Sequence, residues 1–211
     1  WHENKIDKSI RKMLDLEMSN KGKSILVFGN LNFVDENLNL ISSGLEINNK
    51  DFTNLIYNAC RSFGQGCTML FNRDLLSLAM PIPEECVMHD WWFLLVASNF
   101  GKVAFIEEPL MDYRQHSNNV CGGYKNQKIK RFIDFNAQRI YIKKVSAQSM
   151  CFINRYDKLF VKNNKSFKTH NILSKVNNLS LSTKLLCLLR GDLRAKGFKN
   201  KLKLVMQFLL G

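Results

Sequence analysis

The sequence lacks any long apolar run. The longest, WWFLLVA over Trp91–Ala97, is far shorter than the roughly 18–20 residues that a membrane-spanning helix needs. The start also lacks a basic segment followed by an apolar stretch, which is the pattern of a signal peptide, and Trp1 stands where Met would be expected. We therefore expect no transmembrane helix, and we interpret Trp1 as a cut end rather than an initiation site.

The six cysteines and four histidines lack the spacing of a metal site or a disulfide framework. The cysteines lie far apart without a CxxC pair, and no HxH or HExxH motif occurs. We interpret the cysteines as reduced thiols of a cytoplasmic protein. The sequons at Asn164 and Asn178 are expected by chance in a chain so rich in Asn and do not indicate secretion.

Acidic residues are scarce in the second part of the chain. Residues 1–121 carry 11 Lys+Arg and 15 Asp+Glu, a net charge of −4, whereas residues 122–211 carry 20 and 3, a net charge of +17. This division predicts an anionic partner for the second part, either nucleic acid or an acidic lipid surface. No nucleic-acid recognition motif accompanies the charge, so nucleic acid is not the expected partner.

Hydrophobic periodicity and turn residues predict an α/β fold in the first part and an all-helical second part. The predicted boundary lies near Gly122-Gly123, and one long helix is expected from Tyr124 to about Val161. The elements predicted before that boundary are a helix over 3–18, a strand over 24–34 interrupted at Gly29, a helix over 51–60 capped by Asp51, a strand over 67–71, a helix opening at Asn72 or Arg73, a helix over 90–98, and two strands over 102–106 and 110–114.

Asp90 is the first candidate catalytic residue. A carboxylate at a loop-to-helix junction lies at the edge of a cleft, where it can accept a proton from an attacking hydroxyl. The alternative is structural, because Asp is a favoured N-cap and the residue alone favours that role.

Arg114 and His116 form a second candidate pair at a strand end. Arg suits the geometry of a phosphate, and imidazole is a common ligand for a divalent metal ion. Taken alone, such a His is more often a surface or hydrogen-bonded residue.

Gly66, Cys67, Trp91 and Trp92 complete the candidate residues. The small Gly66 and Cys67 would let a sugar or nucleotide approach the backbone, although a turn before a core strand explains them equally well. Trp91 and Trp92 offer aromatic faces on which an acceptor sugar could pack, with at least one of them expected in the core.

Three segments, GCTMLFNR, MHDWW and PLMDYRQHSNN, together resemble an inverting family-2 glycosyltransferase of the rhamnosyltransferase-like kind. The resemblance covers roughly residues 1–122 and implies a GT-A fold, a nucleotide-sugar donor, a divalent cation (Mn²⁺ or Mg²⁺) and a glycan or lipid-linked acceptor on a growing surface polysaccharide. It implies Asp90 as the catalytic base, the strand at Gly66 and Cys67 leading into the donor-sugar pocket, and His116 facing the metal and the diphosphate. From residue chemistry we expect Arg114 to assist His116 at the diphosphate, and Trp91 and Trp92 to bind the acceptor.

The sequence departs from the family's pattern in three places. The aspartate-rich metal motif normally lies just before a segment like Trp1–Ile6, so we expect the chain to lack the nucleotide-binding half and its main metal ligands. Gly29-Asn30 stands where many relatives have an aspartate, and His89 stands where a second acidic residue often occurs. The first departure puts the activity of this chain in doubt.

The basic tail over residues 182–211 contains a candidate interfacial helix. Its apolar residues are Phe198, Leu202, Val205, Met206 and Leu209, preceded by four leucines between 185 and 189. The tail would place the protein peripherally on the anionic inner face of the plasma membrane; alternatively, it covers the catalytic domain. The rival to the enzyme hypothesis is a non-catalytic membrane- or polyanion-binding helical module on a degenerate α/β remnant.

Overall fold

The computed structural model describes residues 1–44, 54–115, 134–160, 164–193 and 198–210, with the side chains of residues 198–200 excepted. Its strands are β1 (Ile25–Val34), β2 (Leu40–Ser43), β3 (Met69–Phe71) and β4 (Lys102–Arg114). Its helices are α1 (Lys5–Ser19), α2 (Leu55–Cys60), α3 (Arg73–Ala79), α4 (His89–Phe100), α5 (Phe135–Tyr156), α6 (Lys165–Ser174), α7 (Leu181–Arg190) and α8 (Phe198–Leu210). The fold is therefore mixed α/β, with a helical second part, as the sequence predicts.

The sheet is built around β1. β4 pairs with β1 in parallel along its whole length, while the opposite edge of β1 is shared by two antiparallel strands. β3 pairs with Leu26–Phe28, and β2 pairs with Asn32–Val34. The first seven residues of β1 are buried because both faces of the sheet are covered: Ile25 and Val27 pack with α1, and Leu26 packs with α4 and the helices behind it. Burial on both faces explains the nearly continuous apolar sequence of this strand.

The chain over 102–114 forms one strand, so the prediction of two strands is wrong. Ile106 pairs with Gly29 and Pro109 with Asn30, which leaves Glu107 and Glu108 in a bulge while both halves remain paired with β1. A Cβ atom at Gly29 would lie 2.5 Å from Leu110 Cδ1, so a larger residue there would force the buried Leu110 side chain to move.

Helix α1 forms where it is predicted. Lys5, Ser9 and Met13 are buried, whereas the apolar Ile6 and Leu14 are 51% and 52% exposed. The helix therefore packs on the sheet through two polar side chains and Met13, and leaves Ile6 and Leu14 at the surface.

The helices of the second part share one hydrophobic core with the sheet part. Phe152 of α5 lies edge-on to Trp92 of α4 at a centroid distance of 5.5 Å, and Phe208 of α8 belongs to the same buried cluster. The predicted boundary near Gly122-Gly123 lies outside the described residues. So does the predicted start at Tyr124: the described helix begins at Phe135, where Asp134 accepts a capping hydrogen bond from Ala137 N–H.

Two smaller predictions concern helix starts. α2 begins at Leu55 with Asn54 as its N-cap, and the predicted cap Asp51 lies outside the described residues. α3 begins at Arg73 with Asn72 as its cap, as predicted.

Within the described ranges, no helix is long and apolar enough to cross a membrane.

Candidate functional site

Asp90 lies in the first turn of α4 and is not its N-cap. Met88 occupies the N-cap position, so Asp90 is not the cap residue, but its carboxylate accepts a hydrogen bond from the first-turn N–H of Trp91 and so has a structural role at the start of the helix. The residue is only 5% exposed, and its carboxylate leaves the helix to meet another segment: Oδ2 accepts a hydrogen bond from the backbone N–H of Gly66 at 3.0 Å. Oδ1 accepts from Trp91 N–H at 2.7 Å. An acidic side chain at this end of a helix is favourably placed in the field of the helix dipole.

Gly66 and Cys67 lie in a 3₁₀ turn, Gly66–Thr68, that leads into β3. The prediction that the strand begins at Cys67 is therefore wrong. A Cβ atom at Gly66 would lie 2.9 Å from Nε2 of His89 and 3.3 Å from Cβ of Asp90. The missing side chain is what lets the turn approach the first turn of α4. The structure thus brings together Gly66, Cys67 and Asp90, which the sequence places in two separate motifs.

Two thiols adjoin the carboxylate. Desolvation raises the pKa of the Cys67 thiol, and the charge of Asp90 adds to the shift. Burial raises the pKa of Cys86 to about 11, again with a contribution from Asp90. Both thiols are therefore neutral near pH 7, and neither is an activated nucleophile.

Lys5 is a site residue that the sequence reasoning missed. Its Nζ lies 3.3 Å from the centroid of the Trp1 ring, in a cation–π contact. Lys5 is 5% exposed; desolvation lowers the pKa of its ammonium group, and interaction with Cys67 opposes that shift. The spacing of Trp1 and Lys5 by four residues at a helix start was the available signal.

The segment that carries Trp1 and Lys5 is anchored on β4. His2 N–H donates to the carbonyl oxygen of Leu110 at 3.0 Å. The His2 ring contacts Pro109 O at 3.0 Å through Nδ1 and Asp112 Oδ1 at 3.2 Å through Nε2. Hydrogen bonds from Asn32 and His2 lower the pKa of Asp112, which stays ionised to accept them.

Trp91 and Trp92 are both core residues. They are 1% and 0% exposed, and their indole N–H groups donate to backbone carbonyls, Trp91 to Asn58 O at 2.6 Å and Trp92 to Ala79 O at 3.0 Å. Neither ring offers a face to a sugar in this structure. The expected acceptor platform is therefore not formed by these two rings, because packing α4 between sheet and helices buries it on every side.

Arg114 ends β4, opposite Val34 at the end of β1. Because β1 and β4 are parallel, their carboxyl ends meet at one edge of the sheet, which is where ligands bind in open α/β sheets. The Gly66 turn precedes β3, whose first residue Met69 pairs with Phe28 in an antiparallel ladder, so the turn lies beside the middle of β1. His116 lies outside the described residues, so its position beside the donor diphosphate stays a prediction.

A metal centre is not found among the described residues, where no group of three or more His, Cys, Asp or Glu side chains is placed to hold an ion. The predicted ligand His116 lies outside the described residues, so no chemical step is assigned to a metal here.

Comparison with known proteins gives no match: no protein-family model, no curated protein and no solved structure is similar to the chain.

Proposed function

We propose that the chain carries the catalytic base of an inverting glycosyltransferase of the GT-A type. The reaction would move a sugar from a nucleotide-diphosphate sugar to a hydroxyl of a surface-polysaccharide or lipid-linked glycan. The observation that supports this proposal is the 3.0 Å hydrogen bond from Gly66 N–H to Asp90 Oδ2, which joins two of the three motifs that resemble the family.

Asp90 would act as the general base. Its carboxylate takes the proton of the acceptor hydroxyl as that oxygen attacks the anomeric carbon, and the bond from the anomeric carbon to the diphosphate breaks on the opposite side. A carboxylate has about four acceptor positions, and Asp90 uses one on each oxygen for Gly66 and Trp91, so capacity remains for a substrate hydroxyl. The Gly66 hydrogen bond fixes the orientation of the base.

The donor would lie between the Gly66 turn and the carboxyl ends of β1 and β4. Gly66 and Cys67 present backbone with little side-chain bulk, and Arg114 stands at the end of β4. Lys5 adds a cation beside Cys67 that suits an anionic diphosphate. The divalent cation, and His116 as its ligand, remain predictions from the resemblance.

Substitution of Asp90 by Asn tests the assignment. The amide keeps the size of the side chain and an acceptor oxygen for Gly66 N–H but cannot take up the proton. We expect the rate of sugar transfer to fall by at least about 100-fold. The measurement is release of nucleoside diphosphate from a panel of nucleotide sugars with an oligosaccharide acceptor, using the gene product that includes any coding sequence upstream of Trp1.

Asp74→Asn is the matched control, because Asp74 is an exposed acidic residue in the first turn of another helix, α3. It should transfer sugar as the unmodified protein does. If Asp90→Asn folds, as judged by circular dichroism, and transfers at a near-normal rate, Asp90 is not the base.

A further inference from the structure

Helix α7 turns its leucines away from the protein. Leu181, Leu185 and Leu189, spaced at i, i+4 and i+8, are 62%, 46% and 85% exposed, and Leu186 beside them is also exposed. The buried side of the helix carries Lys184 and Cys187 instead. We call Leu181, Leu185, Leu186 and Leu189 the α7 leucine face. An amphipathic helix of a globular protein normally buries its apolar side, so this arrangement leaves a surface suited to another apolar phase.

Helix α8, which the sequence favours as the interfacial helix, uses much of its apolar surface within the protein. Leu204 and Phe208, which lie outside the predicted interfacial stripe, are buried, and the Gln207 amide donates to Gln138 Oε1 of α5 at 2.6 Å. Leu202 of the predicted stripe is 49% exposed. α8 therefore packs on the core through Leu204 and Phe208, whereas α7 keeps four leucines exposed.

The charges around α7 select the kind of partner. Among residues 164–193 and 198–210 the single acidic residue is Asp192, against eight Lys and Arg. Lys175, Arg190 and Lys201 are exposed on this part of the molecule. A second copy of this cationic surface would be repelled by its charge. A nucleic acid would be attracted by the charge, but four exposed leucines would add little to its binding free energy. Exposed leucines on a cationic part of a protein are what an anionic lipid bilayer binds.

We propose that the α7 leucine face binds the interfacial region of an anionic lipid bilayer, with the flanking lysines and arginines at the level of the headgroups. Leucines at one-turn spacing would lie in the acyl boundary while the helix axis stays in the plane of the membrane. This proposal does not depend on the glycosyltransferase assignment, because it concerns a different surface and a different measurement.

The test is binding of the full 211-residue chain to vesicles of phosphatidylcholine alone and of phosphatidylcholine mixed with phosphatidylglycerol, measured by co-sedimentation. We expect binding to the mixed vesicles and little to the neutral ones, with weakening at high salt. The double variant Leu185→Gln/Leu189→Gln should lower the partition coefficient by at least about tenfold, since each leucine loses its transfer to the acyl region.

The matched control is Leu40→Gln/Leu159→Gln, which alters two leucines that are 62% and 51% exposed elsewhere in the chain. It should bind the mixed vesicles as the unmodified chain does. Absence of binding to the mixed vesicles, or unchanged binding by the α7 variant, overturns the proposal. So does analytical ultracentrifugation that shows a dimer which only the α7 variant converts to monomers, because the face would then cover a second copy.

Discussion

At the scale of single residues, the candidate site depends on Gly66, which has no side chain. Gly66 is needed for space, because the positions around its Cα are taken by His89 and Asp90. Gly66 and Asp90 are therefore in direct contact and joined by a hydrogen bond, although 24 positions separate them in the sequence.

Gly66→Ala should weaken the contact between the turn and Asp90. The new methyl group would lie 2.9 Å from His89 Nε2 and 3.3 Å from Asp90 Cβ, so the turn or the imidazole must shift and the hydrogen bond to Asp90 lengthens. We expect a loss of about 1–3 kcal/mol in the free energy of unfolding, measured by urea titration, together with a fall in sugar transfer. Cys67→Ala, at the neighbouring exposed position, should change stability by less than about 0.5 kcal/mol. Equal stability of Gly66→Ala and the unmodified chain would show that the turn has room to spare.

At the scale of elements, buried polar groups hold the helices of the second part together. His170 of α6 is completely buried against α5, where its ring lies 4.6 Å from that of Phe152 and its Nδ1 is 3.2 Å from the Ser149 hydroxyl. Burial lowers the pKa of His170 to about 3. The imidazole is therefore neutral in the folded chain, and packing of α6 on α5 is coupled to pH.

Stability should consequently fall in mild acid. Between about pH 6.5 and 3 the unfolded chain binds a proton at His170 that the folded chain does not, so the free energy of unfolding decreases as pH falls. The slope from this group approaches about 1.4 kcal/mol per pH unit once the unfolded imidazole is protonated, and it vanishes above the unfolded pKa. His170→Gln, which is neutral throughout, should show a flatter profile in urea titrations from pH 8 to 4. Comparison at pH 8 isolates the packing cost, and an unchanged slope below pH 6 would contradict the coupling.

At the scale of the whole molecule, the second-part helices share a hydrophobic cluster with α4 and with Leu26 of the sheet. Phe152 lies between Trp92 and Phe100 of α4 and Tyr156 of its own helix, with ring centroids 5.0–5.8 Å apart. Elements that share such a cluster should unfold together.

Phe152→Ala tests this cooperativity. Loss of a ring that is 0% exposed should lower the free energy of unfolding by about 3–5 kcal/mol. The change in tryptophan fluorescence reports mainly on the buried Trp91 and Trp92, because the third tryptophan, Trp1, is already 73% exposed. Its urea midpoint and that of far-UV circular dichroism, which reports mainly on the helices, should fall by the same amount. Phe135→Ala on the same helix removes a ring that is 58% exposed and should leave both midpoints nearly unchanged. Two separate transitions in the unmodified chain would instead support independent domains.

Local patterns determined the elements of this protein. Three short-range signals each predict the element that forms: the helical periodicity of α1, the apolar run of β1 and the capping Asn72 of α3. They succeed because helix and strand formation depend on neighbouring residues. The sequence also singled out Gly66, Cys67 and Asp90 as candidates.

Tertiary structure decided which faces are buried and which distant residues meet. Nothing local shows that α1 packs through Lys5 and Ser9, that both tryptophans of α4 are enclosed, or that α7 keeps its leucines outside. These outcomes depend on where β4 and α5 lie, and burial is set by neighbours far along the chain rather than by periodicity. The contact between Gly66 and Asp90 arises in the same way, since it requires the sheet to bring the turn before β3 against the first turn of α4.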